Sequence, residues 1–387
     1  MTEFFAYDDL TWPEIASLPR ETPLVLPMGS GYDASQLAEA MGHPARIGWL
    51  PSVPYGWPGS AVEVAGTLLG VYVSNLAAAL REQGFARVVV LTPSGLREVL
   101  GLAMEDRNSR LWLPGPKTQG ELLRADDRGK VILVPIGHTE QHGHHLPMST
   151  DTLIIDAVAR GAAAQARGGA VALPVMPYGV STHRRSFAGT LNAGGRAFEN
   201  FYLGVLDALV ARGFDRFYLL SGHGGNCSFL ANVVKYAGEH HPRIFAATAW
   251  LYLAGPQGVA ALEQHRTSPR GGMGHACELE TSLMLQLRPE LVHMERVVDE
   301  TDFITTPSFF MDWIEGGALV ANPPWEDDTR TGAYGAGSLG TAEHGTLWLQ
   351  AAIDEKVQHV AEIHEQQRRR EERRKAGYGR WGTRKSG

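Results

Sequence analysis

Glu140, His142, His144, His145 and Asp151 stand within twelve residues of one another, in the segment Gly137-His-Thr-Glu-Gln-His-Gly-His-His-Leu-Pro-Met-Ser-Thr-Asp151. Imidazole and carboxylate together are the ligands of Zn, Mn or Fe, and one carboxylate can bridge two such ions. A second cluster, Ser221-Gly-His-Gly-Gly-Asn226, follows an apolar run. Glycines on both sides of His223 allow positive φ and a close approach of the backbone to a ligand. A Gly-rich strand-to-helix turn is also the form of a phosphate cradle or a plain turn. Here a histidine stands at the centre and no lysine follows, which favours a metal turn over a P-loop. The third cluster, Gly274-His-Ala-Cys-Glu-Leu-Glu-Thr-Ser282, opens a helix. Helical spacing puts His275, Glu278 and Ser282 near one face and turns Glu280 away from it. The segment thus offers acid or base candidates at a helix start, where the same glutamates would equally serve to complement the helix dipole.

Such residues need a frame to hold them. Apolar runs at 24–26, 88–91, 131–135, 171–174, 217–220 and 244–249 read as strands, while 67–82, 152–165 and 197–212 repeat apolar residues at helical spacing. Alternating strands and helices predict an α/β protein with a largely parallel sheet. In such sheets functional residues collect in loops beyond the carboxyl ends of the strands. Three pairs of segments also repeat in order: 25–33 resembles 134–142, 53–60 resembles 176–183, and 80–95 resembles 209–224. The reading is a duplicated unit, the first copy ending near Gly115 and the second starting near Thr118. Pairing Pro27 with Pro135 sets Tyr32 opposite Glu140 and Ala34 opposite His142; pairing Gly84 with Gly213 sets Ser94 opposite His223. Residues 1–117 are therefore expected to form a degenerate half that has lost its ligands, a scaffold or interface, with the chemistry in 118–365.

The 387 residues are 44% hydrophobic and 20% charged, with a net charge of -7. That composition suits a soluble globular protein and excludes collagen, coiled coil and wholesale disorder. No run approaches the roughly 18 to 20 apolar residues of a membrane helix, and the N-terminus has no basic region followed by an apolar one. Cys227 and Cys277 are too few for a disulfide framework, so the cytoplasm is the expected compartment. Residues 366–387 carry a local charge of +7, which leaves -14 on the rest. They read as a basic flexible tail following a helix over 350–375, and the acidic body argues against nucleic acid as a partner.

GHTEQHGHHLPMSTDT, PYGVSTHRRSFAGT, SGHGGN and HACELETS occur in that order; with GAYGAGSLGTAEHG (332–345) they resemble the motifs of the creatininase (creatinine amidohydrolase) family over about 118–365. The resemblance implies a three-layer α/β sandwich with a mostly parallel sheet, in a homo-oligomer. It also implies a centre of two divalent ions (Zn, Mn or Fe) and hydrolysis of a C–N bond, other than a peptide bond, in a small or cyclic amide. By motif position Glu140, His142, Asp151 and His223 match family metal ligands, Asp151 as the bridge. His275 matches the histidine proposed as proton donor to the leaving nitrogen, and Glu280 an acidic position read as a further ligand or an acid/base group. In the implied mechanism a metal-bridged hydroxide attacks the carbonyl, and His275 protonates the poor amine leaving group. Ser181, His183 and Trp250, at strand ends in the same half, are the substrate-contact candidates. Two positions depart from the pattern. Creatininase has a Glu two residues after the histidine matching His223, where this chain has Gly225, so creatinine is not the expected substrate; Cys277 stands where the family has Gly. Lactone or peptide-bond hydrolysis by the same site, and a metal-stabilised scaffold without turnover, are the alternative readings.

Overall fold

Residues 1–93, 110–113, 123–182, 186–314 and 316–378 are described by the computed structural model of the chain. His183, Ser94, the expected boundary between Gly115 and Thr118, and the last nine residues of the basic tail lie outside the described residues. The strands are β1 (Glu3–Ala6), β2 (Leu24–Pro27), β3 (Arg46–Trp49), β4 (Val88–Pro93), β5 (Arg110–Leu113), β6 (Val131–Ile136), β7 (Ala170–Ala172), β8 (Arg216–Ser221), β9 (Phe245–Thr248), β10 (Met273–His275) and β11 (Tyr334–Gly335). The helices are α1 (Trp12–Ser17), α2 (Ala34–Ala40), α3 (Gly66–Glu82), α4 (Thr150–Gln165), α5 (Gly195–Ala211), α6 (Gly224–His240), α7 (Pro256–His265), α8 (Glu278–Leu287) and α9 (Ala342–Lys375). All six expected strands and all three expected helices are present within a few residues. The strands that periodicity missed, β1, β3, β5, β10 and β11, are four residues or fewer. Several carry Arg or Gly in place of an apolar run, so they offer too little pattern to read.

Two parallel sheets result, in the orders β1-β3-β2-β4-β5 and β7-β6-β8-β9, beside a small antiparallel pair of β10 and β11. Without the edge strand β1 the first order is the second repeated. The hydrogen bonds repeat as well: Val53 N–H donates to the Pro27 carbonyl as Met176 N–H does to that of Pro135, and Gly29 to Val53 as Gly137 to Met176. Helices α3 and α5 have 17 residues each. Both are followed by a left-handed glycine, Gly84 (φ +93°) or Gly213 (φ +91°). The next residue, Phe85 or Phe214, then returns its N–H to Leu80 or Leu209, a helix stop that favours glycine. This recurrence of order, caps and loop bonds fits an internal duplication.

Where the halves meet, α3 lies against α5. Tyr72 on α3 stacks on Phe201 of α5 at 4.7 Å and donates its hydroxyl to the Tyr178 carbonyl at 2.7 Å; Phe201 in turn stacks on Tyr55. Tyr55 and Tyr178 are the tyrosines of the two repeated Pro-Tyr-Gly turns. Each half therefore lays its helix aromatic on the other's turn, the reciprocal contact of a two-fold interface held within one chain. The second sheet is covered on both faces. Ile132, Val134 and Ile136 face the core under α5 and α6, whereas Val131 and Leu133 face that under α4, α8 and α9, as the alternation of a strand requires.

The helix expected over 350–375 is the end of α9, which runs unbroken to Lys375; the flexible tail expected from 366 therefore does not include 366–375. Gln367 is buried and donates to Asp215 and to the Arg243 carbonyl, while Arg374 donates to the Pro242 carbonyl. Polar side chains dock this end of the helix, which is why hydropathy did not show it. No helix of the described residues is long and apolar enough to cross a membrane.

Candidate metal centre

The two central strands of the second sheet, β6 and β8, end side by side, and their loops carry the first two clusters. Gly137 lets the chain leave β6 against α4, since a Cβ there would lie 2.4 Å from the Cα of Thr152. Gly222 does the same after β8, where a Cβ would sit 2.2 Å from the Asp151 carbonyl oxygen. This crowding brings His223 beside Asp151 in the first turn of α4. His223 Nδ1 lies 2.8 Å from Glu140 Oε2 and 3.3 Å from Asp151 Oδ2. The other oxygen, Asp151 Oδ1, lies 3.1 Å from His142 Nε2. On the far side of His142, Glu280 Oε1 stands 3.7 Å from Nε2. Asp151 is thus shared between two groups of donors, one holding Glu140 and His223, the other His142 and Glu280.

All five residues are buried. Burial would push the His142 imidazole down, but the carboxylates of Asp151 and Glu280 outweigh it and lift the group to about 9. Burial would likewise raise Asp151, yet the His142 and His223 imidazoles hold it well below the usual carboxylate range. Three carboxylates in so dry a place, facing imidazoles, carry more negative charge than a low-dielectric interior tolerates without cations. Three trios, His138 with Glu140 and His223, Glu140 with His142 and His275, and His142 with Asp151 and Glu280, each bring their ligand atoms within 4.8 Å of one another, and carboxylate oxygen with imidazole nitrogen is the donor chemistry divalent Zn, Mn or Fe accepts.

The third cluster is built differently from its spacing. His275 is in β10, not on the helix; Ala276 turns the chain in a left-handed conformation (φ +50°), and α8 starts at Glu278. The helical wheel drawn through His275 therefore fails. Glu280 faces the cluster, its Oε2 accepting the Ala276 N–H at 2.5 Å. Glu278 faces away and accepts the N–H groups of Thr267 and Ser268. The His275 ring packs on His142 at 4.1 Å and on Trp325 at 5.1 Å, and its Nε2 donates to the Gln141 carbonyl at 2.7 Å.

Among the substrate-contact candidates, the Ser181 hydroxyl donates to Glu140 Oε1 at 3.3 Å, so it steadies a carboxylate of the cluster. Trp250 is 55% exposed and stands beside Gly224, next to His223. His144 and His145 are not part of the cluster: His144 packs on Trp12, and His145 bonds the Thr281 hydroxyl. Two residues of the site escaped the sequence reading. His138 packs on His223 at 4.4 Å and groups with Glu140 and His223, and Gln141 carries His275. Both sit in the richest motif, but neither type signals a role by itself. Gly225 has no room for a side chain: a Cβ would lie 2.4 Å from both the Val180 carbonyl oxygen and His223 Nε2.

The model of the creatininase family, described as creatinine amidohydrolase, matches residues 117–360. The chain belongs to the creatininase family. Its relatives in that family include the creatinine amidohydrolase of Pseudomonas putida, 31% identical over 246 residues, 58% of this chain and 85% of that protein. Another is the mycofactocin precursor peptide peptidase of Mycobacterium ulcerans, 30% identical over 59% of this chain and 84% of its own. A solved creatininase described as the Mn form superposes with a TM-score of 0.52 at 25% identity, over 62% of this chain and 93% of that one. The family match thus lies in the second half of the chain.

Proposed function

We propose that this creatininase-family chain is a metal-dependent amidohydrolase that cleaves a C–N bond of a small amide, with two divalent ions held by Glu140, Asp151 and His223 on one side and His142, Asp151 and Glu280 on the other. One observation carries the reading: the two oxygens of Asp151 point into two separate donor groups, at 3.1 Å from His142 and 3.3 Å from His223. When bound there, such ions lower the pKa of a shared water toward neutrality and polarise a carbonyl.

The chain's own residues do the rest. Ser181 orients Glu140, and the Ala276 N–H orients Glu280. The burial of all five donors excludes bulk water and strengthens every charge interaction inside. The Gln141 carbonyl keeps a proton on His275 Nε2 and so fixes the ring and its tautomer; Nδ1 of the protonated ring is then the proposed source of the proton for the departing nitrogen, a transfer worth about 10²–10⁴-fold when the donor is well placed. Trp250, exposed at the edge of the His223 turn, and His183 are proposed substrate contacts.

The crowding at Gly225 supports a substrate other than creatinine, because the glutamate of creatininase has no space there. A second reading, hydrolysis of a peptide bond, draws on the similarity to the mycobacterial peptidase. Elemental analysis of the purified chain, followed by ammonia or amine release from a panel of cyclic amides, formamides and short peptides, tests both. Two ions per chain with release from the amides supports the first reading. Release from peptides alone supports the second, and an absence of metal after reconstitution with Zn or Mn sinks both.

A further inference from the structure

One segment of the half without ligands runs from the first sheet toward the centre. After β1 the chain leaves the first sheet, and residues 7–12 cross onto the second half. The carbonyls of Asp8 and Leu10 accept the N–H groups of Ser149 and Met148, each at 2.9 Å, and the Tyr7 hydroxyl donates to the Gly189 carbonyl at 3.2 Å. Trp12 Nε1 donates to the Thr331 carbonyl at 2.8 Å, and the indole packs on His144 and Phe187, at 5.2 and 5.5 Å between ring centres. The local sequence Thr11-Trp-Pro-Glu14 presents the indole this way. Thr11 donates its N–H and its hydroxyl to Glu14 Oε2, both at 2.8 Å, a capping box with proline in the first turn of α1.

From Thr331 a chain of contacts leads to the proton donor. The carbonyl of the next residue, Gly332, accepts from Gln141 Nε2 at 2.8 Å. Gly332 (φ +84°) presses so close that a Cβ would lie 2.1 Å from Gln141 Oε1. The main-chain carbonyl of Gln141 then accepts from His275 Nε2. Gln141 and Gly332 are buried, so each of these bonds fixes the next group, and a bond left unmade has no water to replace it.

Resting on the functional reading above, we propose that Trp12 of the first half is a positioning residue for His275: its indole N–H holds the 331–332 turn, the turn holds Gln141, and Gln141 holds the imidazole. The degenerate half is then a working part of the site. Misplacement of a reacting group by about 1 Å costs up to about 10²-fold, so the link is expected to be felt in turnover.

Trp12→Phe keeps an aromatic ring on His144 and Phe187 and removes only the N–H. In the full chain labelled with ¹⁵N-histidine, solvent exchange of the His275 Nε2 proton should rise about tenfold in the metal-free protein. On the amide found to be substrate, kcat should fall about tenfold to hundredfold, with KM nearly unchanged and Tm lowered by no more than the few degrees that one lost hydrogen bond costs. Gln141→Asn should reproduce both effects. The double variant should lose no more than the worse single one, since both interrupt the same chain of contacts. An unchanged His275 signal and exchange rate in Trp12→Phe overturns the proposal whether or not the protein turns over an amide. So does a lowered Tm with unchanged kcat, which would make Trp12 a packing residue. Faster His275 exchange in Trp12→Phe than in a wild type that takes up no metal and cleaves no amide would overturn the hydrolase reading alone.

Discussion

Beyond its central strand each half places a loop and then a helix, and the two ends are filled in opposite ways. After β6 stand Glu140, His142 and Asp151, three groups whose charge the interior does not tolerate alone. After β2 the position opposite Glu140 is Tyr32, packed among Val25, Leu37, Ile47 and Leu91, with its hydroxyl donated to the Met28 carbonyl at 2.5 Å. Asp33, the nearest acid, is used up in capping α2 through the N–H groups of Ser35 and Gln36. One backbone plan thus accepts either a self-satisfied apolar plug or a charged cluster that needs cations. The plug stabilises the half that holds it; the cluster makes its half dependent on ions and able to do chemistry.

The sharpest way to break this contrast is Asp151→Asn. The shared carboxylate belongs to both donor groups, so metal content measured by elemental analysis should fall from two ions toward none, with amide turnover reduced by about 10³-fold or more. Retention of both ions would show that the halves do not differ as described. Next in size is His275→Ala, expected to cost about 10²–10⁴-fold in kcat while metal content stays at the wild-type value. Loss of metal in this variant would make His275 a ligand instead. In the other half, Tyr32→Ala should lower unfolding free energy in urea by about 3 to 5 kcal/mol and leave metal content and kcat of the folded enzyme unchanged. A fall in metal content there would mean that the plug is not independent of the cluster.

The smallest effect concerns the seam. Burial, reinforced by the neighbouring Asp9, raises the Asp8 carboxyl from its ordinary value to about 7. A carboxyl raised in the folded state favours folding while it is protonated and opposes it once ionised. Stability should therefore fall as pH climbs from about 4 through 7. Asp8→Asn leaves the main-chain bond to Ser149 in place and should remove that fall, with a gain of about 1 to 2 kcal/mol at pH 8 and none at pH 4. Denaturation curves at the two pH values that keep the same difference in both proteins would count against the raised Asp8 carboxyl.

Much of the site was legible because its chemistry is local. Glu140, His142 and Asp151 stand within twelve residues of one another, and His223 stands at the centre of a Gly-rich turn with no lysine after it. Glu280 was legible as a family position, but its orientation was not, because a left-handed Ala276 separates His275 from the helix and resets the wheel. His138, Gln141 and Trp12 were not legible. A histidine, a glutamine and a tryptophan become parts of this centre only through partners 85 to 319 positions away, namely His223, His275 and Thr331. The docked end of α9 was missed for a related reason: Gln367 and Arg374 read as solvated until Asp215 and the 242–243 carbonyls are beside them.

The sequence by itself determined the α/β alternation, the ordered recurrence of three segments, and the presence of candidate ligand types in the second set and not at the matching positions of the first, since these depend on residue identity and short-range period. Tertiary structure alone decided that one carboxylate serves two donor groups, that Glu280 rather than Glu278 completes the second, and that the half without ligands grips the half with them. Those outcomes depend on which loops a pair of parallel strands and a reciprocal helix seam bring within hydrogen-bond distance, and no spacing along the chain encodes that distance.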